Sequence, residues 1–428
     1  MKDSGIEWIG EIPEGWTKNK VIRLFDTIGS GTTPKNITSD FPVVNWIQSG
    51  DITGSFMPTC KNVISANLLS QYSALKVYPA PFIIIAMYGA SVGNASISLI
   101  DGCVNQACCV LSSPSCNLYY AFYVIKSAQS YLVRKAVGGG QPNISQETIK
   151  QLWLPLPPLS TQDIIVRNLD ATCSNIDDLL TSVRSSIEEY KKLKQTVITQ
   201  AVTKGVRSER EMKDSGVEWI GEIPAEWSIT KIKSGVTKIG SGKTPSGGAE
   251  TYTDSGVIFL RSQNVYDCTL NLESPTYISP EVDATMKSTR VLPDDVLLNI
   301  TGGSIGRCSI VPKTLGLANV NQHVCIIRTN PLIFLPKYMQ YFWVSTLGHL
   351  AIDLYQTGGN REGMSADAIR NTPIPYAPLN EQKEIADYLD AKCAEIDGLT
   401  AKKEQLVKEL ESYKKSLIYE VVTGKREV

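Results

Sequence analysis

The sequence predicts an α+β protein built as an internal repeat of two mixed α/β domains, each followed by one long helix. Three observations predict this fold class. The opening stretch of the chain returns at Met212, and a long helical pattern that begins at Pro158 returns at Pro378. Between these repeated parts the two halves differ, as expected when one scaffold is duplicated and its two inserts diverge.

The opening of each half is nearly identical. MKDSGIEWIGEIPEGW begins at Met1, and MKDSGVEWIGEIPAEW begins at Met212. A glycine loop follows in both halves, reading IGSGTTP from Ile28 and IGSGKTP from Ile239. These matches establish that the same local frame opens both domains.

Short apolar runs rich in β-branched residues predict strands inside each domain. They lie at Val43–Ile47, Phe82–Met87 and Ala107–Leu111, with counterparts at Val257–Leu260, Val296–Ile300 and Val324–Arg328. An apolar stretch then predicts a helix at Leu118–Ala136 and again at Lys337–Tyr355. A glycine-rich loop, a short helix and a proline-rich strand lead from there into each long helix.

The long helices are predicted at Pro158–Thr203 and Pro378–Thr423. Ser160 and Asn380 are suitable N-cap residues, and a glycine follows each run, as is typical of a helix end. At roughly 1.5 Å per residue each helix forms a rod of about 65 Å.

A narrow apolar stripe with a three-four spacing follows each rod and is interrupted by Lys403. Its members, predicted to pair the two helices, are Ile176, Leu179, Val183, Tyr190, Leu193 and Val197 in the first rod and Ile396, Leu399, Leu406, Leu410, Tyr413 and Leu417 in the second. We expect the two rods to form a coiled coil, because the stripe is narrow and flanked by charges of both signs. The alternative is two surface helices packed on separate globular cores.

The repeat predicts four segments. They are a first domain at residues 1–157, a first long helix at 158–211, a second domain at 212–377 and a second long helix at 378–428.

Composition narrows the possible functions. The net charge is −1, which argues against a protein that coats nucleic acid by itself, so partner subunits are expected to supply much of any phosphate neutralisation. No apolar run reaches the roughly 18 residues that span a bilayer, and the first residues lack the apolar core of a secretory signal. We therefore expect a cytoplasmic protein. Its ten cysteines have no C-x-x-C spacing and are interpreted as small buried apolar residues in a reducing compartment.

Sequences that resemble catalytic motifs do not complete them. Gly240-Ser-Gly-Lys-Thr244 resembles the end of a phosphate-binding loop, but Thr237 replaces the required glycine and Pro245 opposes a continued helix. A tight turn with glycines in unusual backbone conformations is the better interpretation.

Other enzyme motifs fare no better. Pro293-Asp294-Asp295 could open a metal-dependent nuclease site, but no E-x-K follows at a plausible distance, so a turn is predicted. The chain has no glycine-rich methyltransferase loop and no N-P-P-Y or D-P-P-Y motif. With only two histidines in the chain, no structural metal site is expected, and no catalytic or metal-binding residue is predicted.

Polar, glycine-bearing loops at matched places in the two domains are the candidates for DNA binding. Asn, Gln and Arg side chains suit paired hydrogen bonds with base edges, and glycines let a backbone approach phosphates. The candidates are Gln48, Ser49, Tyr88, Ser91, Asn94, Asn105, Gln106, Gln141 and Asn143 in the first domain, and Arg261, Ser262, Gln263, Asn264, Thr301, Ser304, Arg307, Asn321, Gln322, His323, Asn360 and Arg361 in the second. Each could also be an ordinary loop residue, but the recurrence of the set favours a binding face.

The doubled motifs carry a family resemblance. S-G-x-E-W-I-G-E-I-P, the G-x-G-x-T-P loop, and P-L-x-x-Q-x-x-I-x-x-x-L leading into a helix that ends in V-T-x-G or V-T-G-K all occur twice. Together they resemble the DNA specificity subunit of Type I restriction-modification systems over essentially the whole chain. The first helix departs slightly, with Thr161-Gln162 where the family usually has Glu-Gln, as at Glu381-Gln382.

The resemblance implies two target-recognition domains, held apart and inverted by an antiparallel pair of coiled-coil helices with approximate twofold symmetry. Each domain would read one half of a bipartite site in double-stranded DNA, and the helices would fix the unread spacer. It also implies a chain without an active site. Two modification subunits that bind S-adenosylmethionine would dock on the helices, and restriction subunits would supply ATP- and Mg²⁺-dependent translocation and cleavage.

Two other functions stay open at this point. One is a coiled-coil scaffold whose two domains bind proteins instead of DNA. The other is a self-contained restriction-methylation enzyme, which the absent cofactor and adenine motifs disfavour. Sequence-specific DNA binding or methylation that depends on this chain distinguishes the first of these from a DNA specificity subunit.

Overall fold

A computed structural model of the protein describes residues 1–35, 37, 40–138, 142–356 and 363–428, and it divides into two compact units. Unit 1 comprises Met1–Val183 with Gln405–Val428, and unit 2 comprises Arg184–Glu404. Each unit therefore contains one α/β domain, part of one long helix and part of the other. The four-segment division predicted from the sequence stays a prediction.

Unit 1 consists mainly of short strands, and three of its short helices precede the last strand of the domain. Its strands are Lys2–Ile6 (β1), Gly10–Ile12 (β2), Thr17–Lys20 (β3), Phe25–Gly29 (β4), Val43–Ile47 (β5), Phe56–Met57 (β6), Val63–Ser65 (β7), Phe82–Ala86 (β8), Ala95–Ser98 (β9), Cys103–Val104 (β10), Cys108–Pro114 (β11) and Trp153–Leu156 (β12). Its short helices are Val21–Leu24 (α1), Leu68–Gln71 (α2), Leu118–Ser127 (α3), Gln129–Arg134 (α4) and Gln146–Lys150 (α5). The first long helix, Leu159–Lys204 (α6), begins in unit 1 and ends in unit 2.

Unit 2 has a similar but not identical order of elements. Its strands are Met212–Asp214 (β13), Glu222–Pro224 (β14), Ser228–Lys231 (β15), Val236–Ser241 (β16), Tyr252–Thr253 (β17), Val257–Leu260 (β18), Val265–Tyr266 (β19), Thr269–Leu270 (β20), Thr276–Ile278 (β21), Val296–Asn299 (β22), Cys308–Ile310 (β23), Ala318–Val320 (β24), Val324–Thr329 (β25) and Pro373–Tyr376 (β26). Its short helices are Pro280–Thr285 (α7), Pro336–Val344 (α8), Thr346–Tyr355 (α9) and Ala366–Asn371 (α10). The second long helix, Leu379–Val422 (α11), begins in unit 2 and ends in unit 1.

Two sheets form the centre of each domain. In unit 1 a sheet of order β4-β11-β8-β9-β6 lies beside a smaller sheet of order β10-β5-β7. In unit 2 the matching sheets have orders β16-β25-β22-β23 and β17-β21-β18-β24. One parallel pair recurs in the second of these sheets in each unit, β5 with β10 and β18 with β24. The mixed α/β class predicted from the sequence is confirmed.

The main hydrophobic core of each unit is completed by the end of a long helix. In unit 1, Leu417 and Val422 of α11 are buried in the same cluster as Tyr120 of α3 and Ile165 of α6. The Tyr120 hydroxyl lies 2.9 Å from the carbonyl oxygen of Pro155 and 3.1 Å from that of Val422. Because terminal helix carbonyls have no partner within the helix, this hydroxyl satisfies one of them inside the core.

Unit 2 repeats the arrangement with its own residues. Ile198 and Val202 of α6 are buried in the same cluster as Tyr338 of α8 and Leu389 of α11. The Tyr338 hydroxyl lies 2.9 Å from the carbonyl oxygen of Pro375 and 3.3 Å from that of Val202.

Within each unit the two long helices run antiparallel. In unit 2, Lys403 lies over the ring of Tyr190 with Nζ 5.7 Å from its centroid, and Lys194 lies 2.7 Å from Asp397. In unit 1, Lys414 contacts Asp177 at 2.5 Å. The lysine that interrupts the predicted stripe therefore faces an aromatic ring of the other helix.

The buried side of each helix differs from the predicted stripe. Ile176, Ile396 and Leu417 are buried, and Val183, Tyr190, Val197 and Leu410 are half-buried, but Leu179, Leu193, Leu399, Leu406 and Tyr413 are exposed. In the first helix Leu180 is buried in place of Leu179. Neighbouring helical residues point about 100° apart, so only one of two adjacent leucines can face the partner helix, and spacing alone does not decide which.

Helix bounds correct two further expectations. Both long helices begin one residue before the predicted N-caps Ser160 and Asn380, at Leu159 and Leu379. The helix predicted at Lys337–Tyr355 is two helices, because Ser345 adopts an extended conformation and its hydroxyl accepts the amide of Gly348. The helix predicted at Leu118–Ala136 is likewise divided between α3 and α4.

Candidate nucleic-acid interface

Four loops of unit 1 meet at one edge of its two sheets. Strands β5 and β10 are parallel, so their carboxyl ends lie together, and the amide of Asn105 donates to the carbonyl oxygen of Ile47 at 3.1 Å. The end of β8 meets the start of β11, where the amide of Met87 donates to Ala107 at 2.8 Å. The fourth loop joins through an isolated bridge between Tyr88 and Asn143. The topology thus gathers candidates that are far apart in sequence.

Unit 2 builds the same edge. The amide of Asn321 donates to the carbonyl oxygen of Leu260 at 3.0 Å, and the amide of Ile300 donates to that of His323 at 3.0 Å. An isolated bridge joins Thr301 to Gly363. Because these hydrogen bonds repeat those of unit 1 element by element, the edge is a property of the scaffold and not of either insert.

The loops after β5 and β18 each close as a single helical turn. The amide of Gln48 donates to Asp51 Oδ2 at 2.9 Å, and the amide of Arg261 donates to Asn264 Oδ1 at 2.9 Å. Ser49 is half-buried at the start of the first turn, and the second turn, Ser262–Asn264, contains Ser262 and Gln263.

The side chains in the loops that join β8 to β9 and β22 to β23 differ between the units. In unit 1, Tyr88 is exposed, and Asn94 Oδ1 accepts Gln129 Nε2 at 2.6 Å. In unit 2, the guanidinium of Arg307 lies 4.6 Å from the ring centroid of Tyr266. An arginine held over an aromatic ring keeps its charge and its donors while losing less freedom on binding.

A second arginine of unit 2 is held in the same way. The guanidinium of Arg261 lies 5.6 Å from the ring of Tyr252, and among the described residues its buried Nε has no hydrogen-bond partner. These two cationic groups give the unit 2 edge a positive character that Gln48 and Asn94, at the matching positions of unit 1, do not provide.

Some predicted DNA-contact residues form hydrogen bonds inside their own loops. Asn264 is buried, and its Nδ2 donates to the carbonyl oxygen of Asn271 at 3.0 Å. The side chains of Asn105 and Asn321 accept the amides of Ala107 and His323 at 3.1 and 3.2 Å. These three asparagines shape turns, and their DNA-contact assignment stays a prediction.

The other candidates fall into two groups. Half-buried or exposed at the two edges are Gln48, Ser49, Tyr88, Ser91, Asn94, Gln106, Asn143, Arg261, Ser262, Gln263, Thr301, Ser304, Arg307, Gln322 and His323. Gln141, Asn360 and Arg361 lie outside the described residues. All of these DNA-contact assignments stay predictions.

The glycine loop at Gly240 corrects one interpretation. Neither Gly240 nor Gly242 has a positive φ, so unusual backbone conformation does not explain them. A Cβ on Gly242 would instead lie 2.0 Å from the carbonyl oxygen of Val320, so the loop needs glycine for close approach to another loop. No helix begins at Lys243 and Thr244, where a phosphate-binding loop requires one.

The Pro-Asp-Asp sequence forms the predicted turn. Asp294 has a φ of +69°, and the buried Asp295 accepts the amide of Leu292 at 2.7 Å and pairs with Arg328 at 2.7 Å. The hydrogen bonds that the Arg328 guanidinium donates to the Asp295 carboxylate raise the pKa of Arg328. The Asp295 carboxylate therefore stabilises the local fold.

The chemistry of buried thiols is also constrained. Burial raises the pKa of Cys108, Cys109 and Cys325 to about 12, so these thiols stay protonated and unreactive at neutral pH. Three cysteines depart from the expected burial, since Cys268 is exposed and Cys60 and Cys116 are half-buried. Within the described ranges, no cluster of three or more His, Cys, Asp or Glu side chains could hold a metal ion. Likewise, none of the described helices is long and apolar enough to cross a membrane.

Four residues that touch the candidate edge are not among the DNA-contact residues predicted from the sequence. Thr33 and Thr244 contact Gln106 and Gln322, and Tyr252 and Tyr266 stack beneath arginines. The repeated T-P of the glycine loop was the available signal for the threonines. The tyrosines lie in inserts with no repeat counterpart, so no sequence signal marked them.

The chain is similar in sequence to proteins of one known family. A family model described as Type I restriction modification DNA specificity domain matches residues 13–189 and 224–409. The Type I restriction enzyme MjaVIII specificity subunit of Methanocaldococcus jannaschii is 27% identical over 319 residues, which is 72% of this chain and 69% of that protein. The putative Type I restriction enzyme MjaX specificity subunit of the same organism is 25% identical over 437 residues, 97% of this chain and 95% of that protein.

Solved structures share the fold. One, from work on complex assembly and conformational transition of the type I R-M system, has a TM-score of 0.76 at 16% identity and covers 96% of this chain and 98% of its own. The HsdS subunit of Thermoanaerobacter tengcongensis has a TM-score of 0.54 at 16% identity and covers 97% of this chain and 98% of its own.

Proposed function

The chain belongs to the family described as Type I restriction modification DNA specificity domain, and on that premise we propose that each of its two domains reads one half of a bipartite DNA site. The main support is that the same backbone hydrogen bonds build the edge in both units, while the side chains at the edge differ between the units. Arg307 stands where unit 1 has Asn94, and Thr301 stands where it has Tyr88. The two domains, built on the same scaffold, therefore recognise two different half-sites.

Different parts of each edge contact the bases and the phosphates of the DNA. Amide and guanidinium groups such as Gln106 and Arg307 suit base edges in the major groove. The glycine-bearing turns at Gly89 and Gly302, both at a φ of +73°, leave open space where a phosphate can approach the backbone. With a net charge of −1, the chain relies on partners for part of the phosphate neutralisation.

Exposed apolar residues on the long helices support docking of two modification subunits. Leu179 in α6 and Leu399 in α11 occupy matching repeat positions and are 53% and 37% exposed. Leu193 and Tyr413 form a second matched pair at 46% and 47% exposure. Large apolar side chains left in water at matched positions suit one partner helix on each long helix.

In this proposal the chain carries no active site. The modification subunits bind S-adenosylmethionine and methylate adenine at N6, and the restriction subunits bind ATP and Mg²⁺. The specificity subunit positions DNA for them. We further propose that the assembly acts in the cytoplasm.

The primary test is a map of methyladenine across the genome of cells that express this chain with its matching modification subunit. We expect a two-part motif with a fixed gap, present only when the chain is present. If the complex assembles and no methylation depends on the chain, the recognition role is wrong and a protein-binding scaffold takes its place.

Replacing the side chains of one loop by alanine shows which domain recognises which half-site. Replacing the exposed and half-buried side chains of residues 301–307 by alanine is expected to relax one half-site only, at about 1–3 kcal/mol for each lost base contact. The same replacement at residues 88–94 is the matched control and is expected to relax the other half-site. If both replacements left the base preference at both half-sites unchanged, these loops would not contact the bases.

A further inference from the structure

The repeated glycine loops cross closely beneath the turns that carry Gln106 and Gln322. A Cβ on Gly31 would lie 1.6 Å from the carbonyl oxygen of Val104, and one on Gly242 would lie 2.0 Å from that of Val320. No side chain fits in these gaps, so glycine is required at both crossings. Two residues beyond each glycine the loop presents a threonine.

Each threonine contacts the glutamine of its own unit. The hydroxyl of Thr33 donates to Gln106 Oε1 at 2.6 Å, and the hydroxyl of Thr244 donates to Gln322 Oε1. Both glutamines and both threonines are exposed, so the contacts add little to stability. Their effect is on orientation, because a glutamine amide has an acceptor end and a donor end that recognise different groups.

The two units use the oriented amide differently. In unit 1 the residue after Gln106 is Ala107, and among the described residues Gln106 Nε2 has no hydrogen-bond partner. In unit 2 the residue after Gln322 is His323, and Gln322 Nε2 lies 3.0 Å from His323 Nε2. The other ring nitrogen, Nδ1, lies 2.6 Å from Thr301 Oγ1.

A direction of hydrogen bonding follows in unit 2. Since Gln322 Oε1 accepts from Thr244, the Gln322 amide nitrogen donates to His323 Nε2, and the ring proton then lies on Nδ1. That proton is donated to Thr301 Oγ1, which leaves the Thr301 hydroxyl proton free. Thr244 thus acts on Thr301 through Gln322 and His323.

We propose that Thr33 and Thr244 are positioning residues that determine which hydrogen-bonding groups each domain presents to DNA. This inference rests on the proposed function. Thr33 turns the Gln106 amide donors outward, so Gln106 selects a base acceptor such as guanine O6 or N7 or thymine O4 in the major groove. In unit 2, Gln322 supports His323, and the outward donor is the hydroxyl of Thr301.

The test uses the assembled modification complex on a DNA library randomised over both half-sites, with methylation read by sequencing. Thr33→Val is expected to lower discrimination about fivefold at one base pair of the unit 1 half-site, since it removes one orienting hydrogen bond. Thr33→Ser keeps the hydroxyl and is expected to retain the preference. Thr244→Val is expected to act on the unit 2 half-site alone.

Two further variants make the outcome independent of folding effects at Thr33. Thr32→Val, beside it, removes a hydroxyl that has no hydrogen-bond partner among the described residues, and is expected to change nothing. Gln106→Glu keeps the shape, accepts from Thr33 and presents an acceptor, so the preferred base is expected to change to one with a donor, such as cytosine N4.

The failures are distinguishable. If the wild-type complex selects a bipartite motif while Thr33→Val, Thr244→Val and Gln106→Glu all leave base preference unchanged, the positioning role is overturned and DNA recognition stands. If the wild-type complex assembles and selects no motif, the proposed function itself fails, and the positioning role fails with it.

Discussion

Lys194 lies 2.7 Å from both carboxylate oxygens of Asp397, joining the two long helices within unit 2. Lys414 and Asp177, at the matching repeat positions, form the same pair within unit 1 at 2.5 and 2.6 Å. Burial acts to lower the pKa of Lys194, but the hydrogen bond and charge of Asp397 outweigh it and raise that pKa. One salt bridge therefore recurs once in each unit.

Removing these pairs should weaken both units slightly. We expect Asp177→Asn and Asp397→Asn each to lower the free energy of unfolding by about 0.5 kcal/mol, because the carboxylates are largely exposed. Denaturant titration of each variant measures the change. Asp178→Asn, next to Asp177 and exposed, is the control. In a double-mutant cycle of Lys414→Met and Asp177→Asn, a coupling free energy of zero would contradict the pairing of these two residues.

The tyrosines that close the cores should matter more. Tyr120→Phe leaves a buried carbonyl of Pro155 or Val422 without its donor, and we expect a loss of about 1–2 kcal/mol in the free energy of unfolding. Tyr338→Phe should behave alike in unit 2. Tyr119→Phe is the control, since its hydroxyl has no hydrogen-bond partner among the described residues. Thermal unfolding that ranked Tyr119→Phe with the other two would disprove this role.

Glu381 should be a stability determinant of unit 2. It is 4% exposed and accepts hydrogen bonds from Trp227 Nε1 at 2.9 Å, from Arg210 at 3.0 Å and from Arg207 at 3.2 Å. We expect Glu381→Gln to cost about 3 kcal/mol, because it leaves the poorly exposed Arg210 without its main counter-charge. Denaturant unfolding checks this, and Glu384→Gln is a control expected to cost much less. Equal effects would contradict the account.

Acid should weaken unit 2 through Glu226 and Glu384. The hydrogen bond from Arg210 holds the pKa of Glu226 below its ordinary 4.5, and the hydrogen bond from Arg207 does the same for Glu384. Because these pKa values are lower in the folded state, the two carboxylates stabilise the fold above about pH 4.5 and lose that contribution as the pH falls through the lowered values. We expect a double Glu→Gln variant to show a smaller fall in unfolding midpoint between about pH 5 and pH 3. A slope equal to that of the wild type would rule this out.

The proposed role of the long helices as a ruler predicts the spacer. We expect seven residues inserted at the matched positions after Ser185 and after Gln405 to preserve the helical repeat and lengthen each helix by about 10 Å, or about three base pairs of DNA. A methyladenine map should then show a longer gap between unchanged half-sites. An unchanged gap in an assembled complex would refute the ruler.

The fold was predictable where local chemistry is decisive. Val43–Ile47 and Val257–Leu260 are strands with the predicted bounds, because β-branched runs there are bounded by polar residues and turns. The break at Ser345 was not, because serine occurs both within helices and at their starts, and its capping role depends on the conformation around it. Spacing likewise could not choose between Leu179 and Leu180.

The candidate interface was predictable as a set of loops and not as a set of contacts. The repeat marked Gln106 and Gln322 because they recur. It could not reveal that Thr33 binds Gln106, since the two are distant in sequence and are brought together only by the order of β4, β11 and β10. The stacking of Arg307 on Tyr266 was hidden for the same reason.

The completion of the unit 1 core by Leu417 and Val422 has a consequence during synthesis. Unit 2 is one continuous segment, and all of its residues have been translated once Glu404 is added. Unit 1 starts earlier but waits for the end of α11, so its cluster around Tyr120 stays open to water while the ribosome makes the whole of unit 2. Of the two units, the one whose translation begins first is therefore the last whose core can close.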